Sequence, residues 1–184
     1  MRIVGGDFGG RRLATPRSDA IRPSSDRLRQ TLFDILTHAY DGVVRDARVL
    51  DLFAGTGALG LEAVSRGARH ALFVEDGVEA RGLIRANVET LGLTGRTRIF
   101  RRDATRLGAA GTVPPFDLAF ADPPYGRGLG AKALAAAHSG GWLRAGALAV
   151  LEERGDVAVP AIPGLALVER RAIGDSQLLF LRAE

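Results

Sequence analysis

Four consecutive residues, Asp122-Pro123-Pro124-Tyr125, combine a carboxylate, two residues without a backbone donor and an aromatic ring. The prolines fix two φ angles and remove two amide donors, so the local carbonyls stay free to accept from a ligand. The Asp122 carboxylate and the Pro123 carbonyl therefore form an acceptor pair suited to an amino group on a heteroaromatic ring. Such a nitrogen is a poor nucleophile, because its lone pair is delocalised into the ring. Accepting both of its hydrogens moves it towards tetrahedral and aims the lone pair at an electrophile. Catalysis of that kind is positioning plus electrostatics, with neither a metal nor a covalent enzyme intermediate. Tyr125, with Pro124 beside it, offers a face for the base that carries the amine. Extruding a base from its stack costs a few kcal/mol, and stacking on an aromatic side chain returns roughly 1–3 kcal/mol, so the two about offset. Asp-Pro-Pro-Tyr/Phe should arise by chance only about 0.001 times in a chain of this length and composition. A proline turn around a core tyrosine would need no aspartate.

A second constellation lies upstream. Gly55-Thr56-Gly57-Ala58-Leu59-Gly60 fits G-x-G-x-x-G, in which glycines let the backbone approach a ligand and helix N–H groups face it. In a glycine-rich chain the pattern is expected by chance about 0.4 times, so its weight comes from its surroundings. The preceding strand ends in Asp51-Leu52-Phe53-Ala54, which places Phe53, Ala54, Gly55 and Gly57 against a cofactor. Glu75, at the end of the next strand, can accept from the two ribose hydroxyls of an adenosine-containing cofactor. Asp51 would repel a dinucleotide pyrophosphate, whereas S-adenosylmethionine brings a cationic amino group and a sulfonium to the same place. A plainer role for Asp51 is a hydrogen bond that orients the loop amides. Asp103-Ala104, after the third strand, could hold an adenine ring through its carboxylate and backbone N–H, although a lone aspartate after a strand is otherwise a helix cap.

These residues require a sheet to position them. Buried strands are expected at 48–53, 71–75, 97–102, 116–121 and 147–152, and helices between them, one of them alanine-rich at 129–139. Ile84, Val88 and Leu91 mark another helix that Gly92 ends. Such alternation implies a parallel sheet with helices on both faces. Leu165 to Arg171 and Gln177 to Arg182 are joined by a connection too short for a crossover helix, so they should pair as an antiparallel hairpin. The whole is an α/β fold of the Rossmann-like kind used by class I S-adenosylmethionine-dependent methyltransferases: a mostly parallel sheet ending in an antiparallel hairpin. Before it, Arg2-Ile3-Val4 and Arg11-Arg12-Leu13-Ala14 flank a glycine-rich turn and read as a small β-hairpin. A helix at 25–39 follows, capped by Ser24 or Ser25. Residues 1–45 form this extension and 46–184 the main domain.

Composition narrows the chemistry. The 184 residues include no cysteine, and His38, His70 and His138 are scattered, so thiolate zinc, iron–sulfur clusters and disulfides are excluded and no metal is expected. No apolar run could span a bilayer and no signal peptide is seen, which suggests a cytoplasmic protein without membrane partners. Seven arginines against three aspartates fall within residues 1–30. Arginine forks suit phosphate, so Arg11, Arg12, Arg22 and Arg27 are candidate contacts to a nucleic acid. The same charge could also be a solvated basic face.

The chain resembles the RsmD-type 16S rRNA guanine-N2 methyltransferases over nearly its whole length. The resemblance rests on Arg2-Ile3-Val4-Gly5-Gly6 with Gly10-Arg11-Arg12-Leu13, on Arg22-Pro23-Ser24 with Asp26-Arg27-Leu28-Arg29 and Leu32-Phe33-Asp34-Ile35-Leu36, on the two motifs above, and on Gly174-Asp175-Ser176. Ser24 and Ser176 stand where the family usually has threonine, and both keep the hydroxyl. The resemblance implies S-adenosylmethionine as methyl donor, with S-adenosylhomocysteine as product. It implies N2 of guanine 966 as acceptor, 16S rRNA in a partly assembled small subunit as partner, and an N-terminal hairpin that grips RNA; a monomer is expected. From the residues alone, adenine-N6 methylation of DNA or RNA stays open, as do a nicotinamide oxidoreductase and a non-catalytic RNA-binding module.

Overall fold

A computed structural model describes residues 1–184. Seven strands form one sheet: β1 (Arg48–Leu52), β2 (His70–Val74), β3 (Thr97–Phe100), β4 (Phe116–Ala121), β5 (Leu143–Arg154), β6 (Leu165–Ile173) and β7 (Ser176–Ala183). Their order is β3-β2-β1-β4-β5-β7-β6. The first five are parallel, and β7 inserts antiparallel between β5 and β6. The chain thus crosses back from β3 to β4 on the far side of β1. At such a reversal the loops leaving adjacent strands diverge, and a crevice opens beyond the strand ends.

Alternation along each strand sends side chains to two cores. Val49, Phe73, Phe120 and Phe180 face helices α1 (Asp26–His38), α2 (Ala58–Ser65) and α3 (Val78–Thr90). Leu50, Leu72, Ala119 and Leu151 face α4 (Leu129–Ser139) and the buried Trp142. The first core also takes Ile3, Leu13, Phe33 and Leu36, so the N-terminal 45 residues are packed into the same apolar interior as the sheet. No helix is long and apolar enough to cross a membrane.

Ser25 caps α1, its hydroxyl accepting from the Leu28 amide at 3.1 Å. The expected N-terminal hairpin forms as a short antiparallel pairing, bridged at Arg2 and Arg12, with the Ile3 amide donating to the Arg11 carbonyl (2.9 Å), the Gly10 amide to the Ile3 carbonyl (2.8 Å) and the Leu13 amide to the Met1 carbonyl (3.1 Å). Its remaining amides turn to α2. The Val4 and Gly5 amides each donate to the buried Glu62 carboxylate at 2.8 Å, and Phe8 donates to Ser65 Oγ at 2.9 Å. The hairpin is thereby fastened to α2 through amides that its own pairing does not use. Strand β5 begins four residues earlier than the alternation suggests. Gly146, at φ 77°, interrupts the apolar pattern there, and the β4–β5 register shifts between Phe116 and Leu118.

One of the seven N-terminal arginines departs from the charge reading. Arg29 is fully buried, its guanidinium donating to the carbonyls of Ser24 (2.7 Å) and Arg2 (2.5 Å) and to Asp26 (2.7 Å). It joins α1 to the first residues of the chain and is withdrawn from any phosphate.

Candidate active site

Strands β1, β2, β4 and β5 all end at the same edge of the sheet, and a cavity of about 870 Å³ lies there. Its wall includes Phe53, Gly55 and Glu75 on one side and the whole of Asp122-Pro123-Pro124-Tyr125 on another. Ala20 to Ser25, Arg27 and Leu28 contribute from the N-terminal segment, and Gly174-Asp175-Ser176 from the turn between β6 and β7. The size is that of a pocket for a drug-sized ligand or cofactor. The sheet therefore gathers the two motifs, 67 positions apart in sequence between Gly55 and Asp122, into one space.

The glycine loop is built by backbone conformation. Gly55 and Gly57 have φ of 59° and 81°, and Phe53 is left-handed at 57°, a conformation non-glycine residues rarely adopt and hold only where their surroundings impose it. A Cβ on Gly60 would stand 2.5 Å from the Phe73 ring and 3.1 Å from Asp51 Oδ2, so the third glycine lets α2 seat against the sheet. Glu75 receives the Gly55 amide on one oxygen (2.8 Å) and the Gly77 amide on the other (2.9 Å). Each carboxylate oxygen has two lone-pair sites, so both can still accept a ribose hydroxyl.

Asp51 is buried and accepts from the Gly60 amide at 2.9 Å, the loop-orienting bond anticipated as its plainer role. It also borders a water-sized cavity of about 30 Å³, together with Ala54, that shares Arg22, Phe53, Gly55 and Asp122 with the main one. Burial, opposed by the Gly60 hydrogen bond and reinforced by Glu75, pushes the Asp51 carboxyl up to about 8. A carboxyl protonated more readily in the folded state favours folding at low pH. That contribution is lost as pH rises from the ordinary value of 3.8 through about 8. Asp51→Asn keeps an acceptor for Gly60 and removes the titration. Its Tm relative to wild type should climb across that window, and parallel Tm curves from pH 4 to 9 would contradict the assignment.

Asp122 sits one residue beyond β4, and its carboxyl is raised well above the usual aspartate range. Desolvation is the main cause, followed by the negative charges of Glu152 and Asp51 and a hydrogen bond with Glu152; Arg22 opposes them. Tyr125 donates its hydroxyl to Glu152 Oε1, and burial and that bond raise its pKa. The ring face is covered: the Arg22 guanidinium lies 4.6 Å from its centroid. The face of Tyr125 expected to take a base thus carries an arginine.

The other predicted residues separate. Arg27 joins Arg22 at the cavity mouth. Arg11 and Arg12 are exposed but belong to the far end of α3, where Arg11 Nη2 donates to the Thr90 carbonyl at 3.0 Å. With Glu79 at the cavity, that end of α3 lies ~17 Å away along the helix axis. Asp103 and Ala104 are not part of the cavity wall. Asp103 Oδ1 caps a 3-10 turn by accepting the Thr105 amide (2.8 Å) and hydroxyl (2.7 Å), which holds its carboxyl below the ordinary value, and Ala104 is buried. Glu152, Glu153 and Ser176 had no assigned chemistry. The signal for the glutamates was two consecutive carboxylates at the C-terminal end of an apolar strand, where α/β sheets bind ligands.

A parallel sheet with this strand order, finished by an antiparallel hairpin and carrying an acidic-proline motif beside a glycine loop, defines a Rossmann-like methyltransferase. Known proteins narrow the class. The family model described as "Conserved hypothetical protein 95" matches residues 1–182, and the chain belongs to that family of RsmD-type methyltransferases. It is 40% identical over 165 residues to the ribosomal RNA small subunit methyltransferase D of Escherichia coli strain K12, covering 89% of this chain and 79% of that one. The enzyme of the same name from Haemophilus influenzae is 30% identical over 176 residues, covering 95% and 89%. The structure of the E. coli protein yhhF superimposes with a TM-score of 0.83 at 34% identity, covering 100% of this chain and 98% of that chain. The Thermus thermophilus 16S rRNA N2 G1207 methyltransferase shares the fold, with a TM-score of 0.66 at 22% identity over 91% of this chain and 45% of that one.

Proposed function

We propose that this protein transfers a methyl group from S-adenosylmethionine to the exocyclic N2 of a guanine in small-subunit rRNA, guanine 966 of 16S rRNA in a partly assembled subunit. It does so as a cytoplasmic monomer. The observation that carries this reading is the Asp122 carboxyl and Pro123 within one cavity with Glu75 and the Gly55 loop. The relatives named as rRNA small subunit methyltransferases support the substrate class.

The residues fit the donor. Glu75 would accept the ribose hydroxyls, the left-handed glycine loop would lie against the nucleoside, and Asp51 would face the cationic amino group through the smaller cavity. When bound, the donor supplies an electrophilic methyl. Asp122 and the Pro123 carbonyl accept the two amine hydrogens, localising the nitrogen lone pair, while Tyr125 and Pro124 bracket the base. A protonated Asp122 accepts more weakly and cannot take up the departing proton, so kcat/KM should rise with pH through a value above the ordinary carboxylate range. Asp103, with Oδ2 uncommitted, is left for the adenine ring only if the turn that it caps moves towards the cavity.

Incubation of purified protein and labelled S-adenosylmethionine with unmodified small-subunit particles, followed by mass spectrometry of nucleosides, tests the reading. N2-methylguanosine is expected. N6-methyladenosine would point to adenine instead, and binding of NADH without methyl transfer would sink it. The Arg11→Ala, Arg12→Ala double variant should weaken RNA binding and reduce the slope of log K against log salt by roughly 1.4 to 1.8, as for two lost phosphate contacts. Unaltered affinity across the salt titration would remove the hairpin from the RNA interface.

A further inference from the structure

Glu152 is a buried carboxylate in the cavity wall to which the mechanism above gives no part. The β4–β5 register pairs Ala121 with Leu151, so Asp122, the first residue past β4, falls beside Glu152 in β5, where the Glu152 charge and a hydrogen bond with it help raise the Asp122 carboxyl. Glu152 Oε1 accepts from the Tyr125 hydroxyl and lies 3.4 Å from Ser176 Oγ. No arginine or lysine forms a salt bridge with it, and Oε2 receives no backbone amide. Its neighbour Glu153 is different: it accepts the Gly126 amide (3.0 Å) and the Arg154 amide (2.8 Å) and so serves the backbone.

Two carboxyls side by side in a desolvated wall repel when both are ionised. Anchoring the Tyr125 hydroxyl does not require that cost, since a neutral glutamine would accept the same bond. A pair of adjacent acceptors has a matching ligand, however. The Watson–Crick edge of guanine presents N1–H next to the N2 amino group, donor beside donor. Adenine presents its N6 amino group next to an N1 lone pair, which a carboxylate would repel. Enzymes that act on an extruded base read this edge by hydrogen bonds.

We propose that Glu152 selects guanine by accepting its N1–H while Asp122 and the Pro123 carbonyl hold the N2 amine. This rests on the reading of the cavity as an exocyclic-amine methylation site and adds the residue that decides which amine. Tyr125 and Ser176 are positioning residues in this scheme, because their hydroxyls hold Oε1 and leave Oε2 for the base. The proton that Asp122 holds departs to solvent when the base brings its own donors, and the Arg22 guanidinium favours that ionisation.

Two small-subunit rRNA substrates identical except for guanosine or 2-aminopurine riboside at the target nucleotide separate the possibilities. Both carry the same C2 amine, but 2-aminopurine has an N1 lone pair in place of N1–H. Wild type should prefer guanosine by at least about 100-fold in kcat/KM, as sites built around a donor reject analogues lacking it. Glu152→Gln should lower guanosine turnover and narrow the preference to within about tenfold, because its amide can donate to the 2-aminopurine N1. Calorimetric affinity of Glu152→Gln for S-adenosylmethionine, expected to match wild type, reports that the variant is folded. If it is not, the wild-type comparison alone decides. Equal turnover of the two substrates by wild type overturns the role of Glu152 while leaving N2 methylation standing. N6-methyladenosine as the wild-type product overturns both.

Discussion

Asp122→Ala should lower kcat by about 10³-fold, the scale of losing a group that stabilises charge or takes a proton in the transition state, with little change in affinity for RNA or the methyl donor. The substitution removes one of two mutually repelling carboxyls from a desolvated wall, so no loss of folding should accompany it. Asp122→Asn divides the roles. It keeps an oxygen that accepts from the amine but cannot take up the departing proton, so residual activity well above that of Asp122→Ala would show that acceptance dominates. Single-turnover methyl transfer at saturating RNA and donor measures both variants. Wild-type rates in Asp122→Ala would remove this residue from the reacting atoms.

The largest stability effect should fall at Glu62, far from the chemistry. This buried carboxylate collects the amides of Val4 and Gly5, the Arg66 Nε at 2.8 Å and, at 4.0 Å, the Nε of the fully buried Arg29. Arg29 Nε has no hydrogen-bond partner, so its compensation is the Glu62 charge. Glu62→Ala removes the charge facing Arg29 Nε and the acceptor of two amides, while Asp26 and two carbonyls still hold the rest of the Arg29 guanidinium, so the cost should be about 3 kcal/mol, a fall of roughly 10 °C in Tm for a chain of this size. Glu62→Gln should fall between, because it still accepts from one amide. Hydrogen exchange at Val4 and Gly5 should accelerate in both. A Tm within two degrees of wild type for Glu62→Ala would show that the N-terminal segment is held by its apolar contacts alone.

What the sequence made legible was contiguous. Asp122-Pro123-Pro124-Tyr125 and the Gly55 loop carry their geometry in adjacent residues, and both face the cavity. The strands at 116–121 and the helix at 129–139 match the structure residue for residue, because apolar runs and alanine periodicity are local signals. Partnerships across the sheet were not readable. Glu152 acquires its meaning only from the register that sets it beside Asp122, and Glu62 only from the N-terminal amides more than fifty residues away. Arg29 was counted as surface charge for the same reason, since nothing in its neighbourhood of α1 reveals that the Arg2 carbonyl closes over it. The turn glycines predict the reversal at residues 2–14, which forms, but say nothing about the α2 acceptors that the amides of Val4, Gly5 and Phe8 find.

The guanidinium of Arg22 over the Tyr125 ring turns entry of a base into an exchange. The arriving base gains roughly 1–3 kcal/mol of stacking and displaces a cation–π contact of about 0.5–2 kcal/mol, so the aromatic face adds little net affinity for a base on its own. What remains to favour entry is supplied by the amine hydrogen bonds and by phosphates flanking the target, which the released Arg22 is then free to meet. A loose nucleoside brings only the first of these. On the proposed function, the resident arginine would be a competitor that polymeric RNA, with its flanking phosphates, displaces more readily than a loose nucleoside does.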